Sequence, residues 1–167
     1  DLLDGFHSSS FVFQYPLPVK DAGQKWWHRI GNYSNANNTA LVITCYAGDG
    51  WNSSAYQNEI IQIFLKKGYQ PTPSATNSIG CQVFRYNWNR LGADGVDVVI
   101  VATSDTAGSV WLYQNAGYVS GRYTISGDWT WEHNNGTSDD TQTTPTSNNS
   151  GVDIKLMAST TDNVASA

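Results

Sequence analysis

Charge is scarce in this chain of 167 residues. Asp, Glu, Lys and Arg make up 14% of it, against about a quarter in an ordinary globular domain. The nine Lys and Arg are scattered and the net charge is −5, which argues against the basic stripe of a nucleic-acid binder. Glutamate is almost missing, with Glu59 and Glu132 alone. A glycosidase needs two carboxyl groups flanking one bond, and the aspartates here fall in turns or at strand ends, so an enzyme is not expected. Cysteine is rare too: Cys45 and Cys81 make neither a disulfide framework nor a metal set, and two buried free thiols are expected. The three histidines, His7, His28 and His133, lie far apart without zinc spacing. "SDDT" and "GADGVD" lack the EF-hand arrangement, and the Gly-x-Ser-x-Gly elbow is missing. Catalytic residues, metal and cofactor are therefore all expected to be none. No apolar run nears the length of a membrane span and no charged-then-apolar leader opens the sequence. A soluble protein without membrane insertion is expected.

What the chain does have is aromatic rings, at 13% with seven tryptophans, set among Asn, Ser, Thr and Gly. Amides, hydroxyls and rings suit a neutral polar ligand. Helical periodicity is nearly absent. Short β-branched and aromatic runs, bounded by turn residues, predict strands near "SFVFQY", "KWWHRIG", "ALVITCYA", "EIIQIFLKK", "CQVFRYNW", "VDVVIVAT", "SVWLYQN", "GRYTISG" and "GVDIKLMA". "EIIQIFLKK" could make two helical turns, but alternation of Ile61, Ile63 and Leu65 favours a strand. "VDVVIV" is apolar on both faces apart from Asp97, as in a strand covered on both sides. The expected class is all-β, an antiparallel β-sandwich of jelly-roll-like form. The segment from His133 to Gly151 has no apolar residue beyond its prolyl ring. It reads as a long polar loop, mobile or ordered by a neighbouring chain.

Three places mix aromatic rings with amides and carboxylates, as a saccharide site requires. "GDGWNSSAY" sets Trp51, Asn52 and Tyr56 in a loop. "SGDWTWEHNN" alternates Trp129 and Trp131, which on a strand share a face, with Glu132 and His133 beside them. "YNWNR" puts Trp88 between two asparagines near Arg90. The plain alternative for every tryptophan is packing, and it is preferred for Trp26 and Trp111. In "KWWHRIG", alternation separates Trp26, His28 and Ile30 from Trp27 and Arg29. One tryptophan must then face solvent or a neighbouring chain, and His28 reads as a satisfied inward or interface histidine. The ligand-binding candidates are Trp51, Asn52, Tyr56, Trp129, Trp131, Glu132 and His133.

"LDGFHSSSF" near the start resembles the Leu-Asp-Gly-aromatic-x-Ser-Ser-x-Phe linker of bacteriophage tail fibres and tailspikes, and "TTDNVASA" resembles another linker of those proteins. Between them "KWWHRIG", "YAGDGWNSSAYQNEIIQI" and "VDVVIVATSDTAGSVWLYQNAGY" are similar to the β-sandwich heads of such fibres. The polar segment 133–151 matches no pattern of the family. The resemblance implies a homotrimer in which Leu2, Leu3 and Phe6 pack around a three-fold axis at a shaft junction. It divides the chain into a linker at 1–15, a head at 16–158 and a C-terminal linker at 159–167. "NVASA" suggests that the sequence was cut from something longer or matured by cleavage. The implied function is attachment of a virion to a bacterial surface, through a glycan such as lipopolysaccharide or capsule. The protein would be made in the host cytoplasm and carried on the virion. The alternatives are a trimerisation and folding cap, a head for an outer-membrane protein receptor, a glycan-degrading enzyme, or a free-living lectin.

Overall fold

In a computed structural model of the chain, the residues described are 14–17, 26–34, 39–49, 60–67, 79–86, 98–103, 106–114, 120–134, 140–143, 145, 154–157 and 160–161. Every regular element among them is a strand. In chain order these are β1 (Gln14–Leu17), β2 (Trp26–Ser34), β3 (Ala40–Asp49), β4 (Ile60–Lys67), β5 (Ile79–Tyr86), β6 (Val98–Ala102), β7 (Ala107–Gln114), β8 (Ser120–Gly127), β9 (Thr130–His133), β10 (Ile154–Met157) and β11 (Thr160–Thr161). They form a six-stranded sheet, β1-β8-β3-β4-β5-β11, and a five-stranded sheet, β10-β6-β7-β2-β9. All pairings are antiparallel except β11 with β5. Pairing reaches into both segments expected as linkers, since Gln14 and Tyr15 lie in β1 and Thr160–Thr161 form β11.

The two-residue period of a strand decides which side chains meet. In β4, Ile61, Ile63 and Leu65 are buried while Phe64 and Lys66 are exposed. This pattern holds the segment as a strand, because helical spacing would scatter those residues around a cylinder. Ile63 sits between Ile43 of β3 and Val83 of β5 in register. The inner face of the five-stranded sheet supplies Ile30, Val98, Ile100, Val110 and Leu112, and both sheets share one buried cluster. Each such aliphatic side chain contributes roughly 1.5–3 kcal/mol over the exposed state. Both thiols are free; Cys45 is buried and Cys81 half-buried. In β6, Val98, Val99 and Ile100 are all buried, as expected for a strand covered on both faces.

Strand β2 does not alternate simply. Its register against β7 shifts between Arg29 and Gly31, leaving Ile30 as the extra residue of a bulge. Residues 30 and 33 would otherwise point to opposite faces, yet both reach the core. A bulge leaves main-chain groups without ladder partners. Here the Ile30 carbonyl accepts the Tyr123 hydroxyl at 2.8 Å and the Asn134 N–H at 3.1 Å. One of those bonds joins the two sheets.

The expectation about the polar segment is corrected, and of the tryptophan pair Trp27 is the covered one. Trp27 is only 4% exposed, and no second chain is needed to cover it. Its N–H donates to Thr141 O at 2.7 Å and Thr141 N–H returns to Trp27 O at 3.0 Å. Its ring lies 5.0 Å from that of Tyr113, its cross-strand neighbour on β7. The Asp140 carboxylate meets His28 Nδ1, both side chains being buried. The segment expected to be mobile or ordered by a neighbouring chain is fastened at 140–141 to β2 of its own chain. A carboxylate and a backbone bridge do this without any apolar residue. Trp26 and Trp111 are half-buried.

Candidate functional site

The first strand of the six-stranded sheet, β1, and the last of the five-stranded sheet, β9, border the same edge of the molecule, with β8 beside β1. Four rings meet there. Tyr15 of β1 stacks on Tyr123 of β8 at 5.1 Å and 27°, and lies 4.7 Å from the His133 ring of β9. Trp131 of β9 meets Tyr123 edge-on at 6.0 Å and 78°. Edge-to-face and offset pairs of this kind add about 0.5–1.5 kcal/mol each to the area they bury.

The Tyr123 oxygen organises the cluster. Trp131 Nε1–H donates to it at 3.1 Å, His133 Nδ1 lies 2.5 Å away, and its own proton goes to the Ile30 carbonyl. A hydroxyl carries one proton and two lone pairs. Only a histidine protonated on Nδ1 then satisfies all three contacts, which assigns His133 that tautomer. Among the described residues His133 Nε2 is buried without a partner, so a second proton finds no acceptor among them. Burial accordingly lowers the His133 pKa, against a smaller raising effect of the Ile30 carbonyl. Burial likewise pushes the Tyr123 phenol well above the ordinary tyrosine range.

Gly31 makes the close packing possible. It lies opposite His133 in the β2–β9 register, and a Cβ added to it would run into the Trp131 indole. The turn into β9 needs a second glycine, because Gly127 has φ of 133°, a region that side-chain-bearing residues rarely adopt.

On the opposite face of β9 the residues are polar. Asn32 Nδ2 donates to Glu132 Oε2 at 3.2 Å, and Arg29 NH1 donates to Asn32 Oδ1 at 3.3 Å. The Asn134 amide reaches Arg29 O at 2.8 Å. Arg29, Asn32, Glu132 and Asn134 thus form a hydrogen-bonded strip of guanidinium, amide and carboxylate along the sheet edge. The rings behind it hold β9 in place. Chemically this strip can exchange hydrogen bonds with hydroxyl-rich ligands. Among the described residues no group of three His, Cys, Asp or Glu side chains gathers as a metal site would require.

Of the seven candidate residues, Trp131, Glu132 and His133 come together on β9. Trp131 and His133 face inward and are half-buried, whereas Glu132 faces out and is exposed. Trp129 is 6% exposed and packs on Tyr33 at 4.9 Å, so its ring belongs to the core. Trp51, Asn52 and Tyr56 lie outside the described residues, as do Trp88 and Arg90. Sequence reasoning missed Tyr15, Arg29, Asn32, Tyr123 and Asn134. Tyr123 carried a signal, being the aromatic at an inward position of "GRYTISG". Asn32 carried none, since only the β2–β9 register sets it opposite Glu132.

No protein-family model matches this sequence, and no curated protein does. Among solved structures, the chain is similar to Pantoea stewartii WceF, described as a glycan biofilm modifying enzyme with a bacteriophage tailspike-like parallel beta-helix fold. The TM-score is 0.48 at 11% sequence identity, covering 92% of this chain and 23% of that one. A likeness at that level carries neither fold nor function to this chain, whose geometry must speak for itself.

Proposed function

We propose that this chain is a receptor-binding head of a bacteriophage tail fibre or tailspike, and that it attaches the virion to a bacterial surface by binding a cell-surface glycan. The observation that carries the reading is the β9 edge. There a polar strip of half-buried Arg29, Asn32 and Asn134 with exposed Glu132 is held by a ring cluster of Tyr15, Tyr123, Trp131 and His133. A rigid backing keeps the polar groups in place before binding, which lowers the ordering cost of a weak site. The low charge and the abundance of amides and rings fit a neutral or lightly charged saccharide. The linker-like ends support the fibre context, and Trp51, Asn52 and Tyr56 remain proposed as further contacts. The head is read as a jelly-roll-like trimer made in the host cytoplasm and carried on the virion. It acts as a binder rather than an enzyme, without metal or cofactor, membrane insertion or nucleic-acid partner. The β1–β8 and β2–β7 pairs nest in alternate sheets as in a jelly roll, whereas β3, β4 and β5 run as a meander on the β1–β8 sheet and β6 lies in the other. Three weak sites per fibre would supply avidity.

A second reading, a trimerisation cap, draws on the outer face of the six-stranded sheet. Phe64 is 38% exposed there beside its cross-strand neighbour Val42. Sedimentation and surface binding separate the two. The receptor reading expects a three-chain mass, with retention on host polysaccharide that Glu132→Gln abolishes at unchanged mass. A trimer that retains no surface polysaccharide overturns the receptor reading in favour of the cap, and a stable single copy overturns the fibre reading.

A further inference from the structure

We infer that Trp111 is the stacking platform of the glycan site, and that the ligand is a neutral oligosaccharide lying across the outer face of β7, β2 and β9. The inference rests on the glycan-binding reading above and deepens it, adding a ring to the polar strip and a ligand class to the site. Register carries the placement. Val110 and Leu112 of β7 turn into the core, so Ser109 and Trp111 project from the opposite face. Trp111 lies opposite Arg29 on β2, and Ser109 lies opposite Asn32, which itself faces Glu132 on β9. The bonds agree: Trp111 Nε1–H donates to Ser109 Oγ at 2.9 Å, and Arg29 and Glu132 both meet Asn32. One face thus carries an indole and a hydroxyl beside a guanidinium, an amide and a carboxylate.

Trp111 is set apart from the tryptophans that pack. Trp27, Trp129 and Trp131 each lie against a tyrosine ring. Among the described residues no ring packs on Trp111, which is half-buried. Its bond to Ser109 runs through the edge of the indole, and so orients the ring without using its face. A pyranose ring offers the complement, an apolar face of C–H groups with hydroxyls around the rim.

Sheet spacing sets the ligand's length. Two strand intervals separate β7 from β9, roughly 9–10 Å, which is more than one pyranose ring spans. The ligand is therefore at least a disaccharide, with one unit on Trp111 and the next giving hydroxyl protons to Glu132. Its neutrality follows from Glu132, an exposed carboxylate in a protein of net charge −5, which repels an acidic sugar, while Arg29 on the same face already donates to Asn32. An added peptide strand does not fit this face, because β7 lies between β6 and β2 and its backbone is engaged on both sides.

The test titrates the full chain with cellotetraose, maltotetraose and lacto-N-neotetraose, with glucose as the single-ring control and tetragalacturonate as the anionic one. At least one neutral tetrasaccharide should bind, about tenfold or more tightly than glucose, and more tightly than tetragalacturonate. In the native chain the indole N–H resonance of Trp111 should shift during that titration. Trp111→Leu, which keeps apolar bulk without a ring, should weaken binding about tenfold, and Trp111→Phe should retain part of it. A melting curve for each variant separates loss of the contact from loss of the fold. Binding of no neutral tetrasaccharide, an equal affinity for glucose or for the acid, an unmoved Trp111 resonance, or full affinity in a folded Trp111→Leu protein overturns the site. Retention on host surface polysaccharide is read in parallel. Retention that Glu132→Gln abolishes and Trp111→Leu leaves intact removes the platform and keeps the receptor reading. Trp111-dependent tetrasaccharide binding without such retention removes the receptor reading and keeps the platform.

Discussion

The neighbouring strands β2 and β9 of the five-stranded sheet each carry a tryptophan and a histidine, and they are built to opposite purposes. At the start of β2, Trp27 and His28 are sealed: Thr141 bridges the first through the backbone and Asp140 takes the second through its carboxylate. At β9, Trp131 and His133 are half-buried and partnered by a neutral phenol. The residue between them, Glu132, points to solvent and meets only a neutral amide among the bonds described. A buried carboxylate beside an imidazole ties a segment down, because removing either partner strands the other. A phenol shared by two N–H donors positions rings without burying a charge, and leaves the adjacent carboxylate available. The same two residue types thus make a fastening in one place and a presenting edge in the other.

Breaking the fastening should cost most. Asp140→Ala leaves the buried His28 without its carboxylate and is expected to lower stability by roughly 3 kcal/mol, measured by denaturant unfolding. Glycan binding at β9 should persist in whatever remains folded. Next comes Gly31→Ala, which pushes a methyl group into the Trp131 indole. Overpacking of that kind costs about 1–3 kcal/mol, and here it should also weaken binding, because β9 must move. Tyr123→Phe is expected to cost about 1–2 kcal/mol by orphaning the Trp131 and His133 donors and one inter-sheet bond. Loss of the ring contacts is not involved, so any binding defect it shows measures the hydrogen bonds alone.

The smallest effect is on pH dependence. Because burial holds the His133 pKa below its ordinary value near 6.5, the unfolded chain takes up a proton before the folded one does. Its contribution is fully present above the unfolded pKa and is lost as pH falls toward the folded value. Between about pH 7 and about pH 5 the native chain should therefore lose stability faster than His133→Gln does. Parallel curves would mean that the β9 histidine is no more shielded than a surface one.

Much of the fold could be read from the sequence, because β-strands announce themselves by alternation. All nine stretches assigned as strands correspond to elements, from β1 to β8 and β10. The two missed are short. β9 has four residues and a polar outward face, and β11 has two residues held only against β5. The face assignment in β2 was legible as far as His28 and Ile30, but a bulge is a main-chain event that side-chain periodicity does not reveal. Trp129 and Trp131 were assigned to one face by spacing alone. Both turn inward, Trp129 into the core from the bend before β9 and Trp131 half-buried against it. The cover over Trp27 was illegible for another reason. Asp140 and Thr141 look like solvated loop residues, and only long-range pairing gives them a structural task.

The account turns on Glu132, the exposed carboxylate at the centre of the β9 strip. Retention of the native chain and of Glu132→Gln on immobilised host surface polysaccharide is the direct measurement, with a melting curve for each. The account predicts that the variant melts within about 0.5 kcal/mol of the native chain, as a surface substitution should, and no longer binds. Full retention by an equally stable Glu132→Gln protein would contradict it.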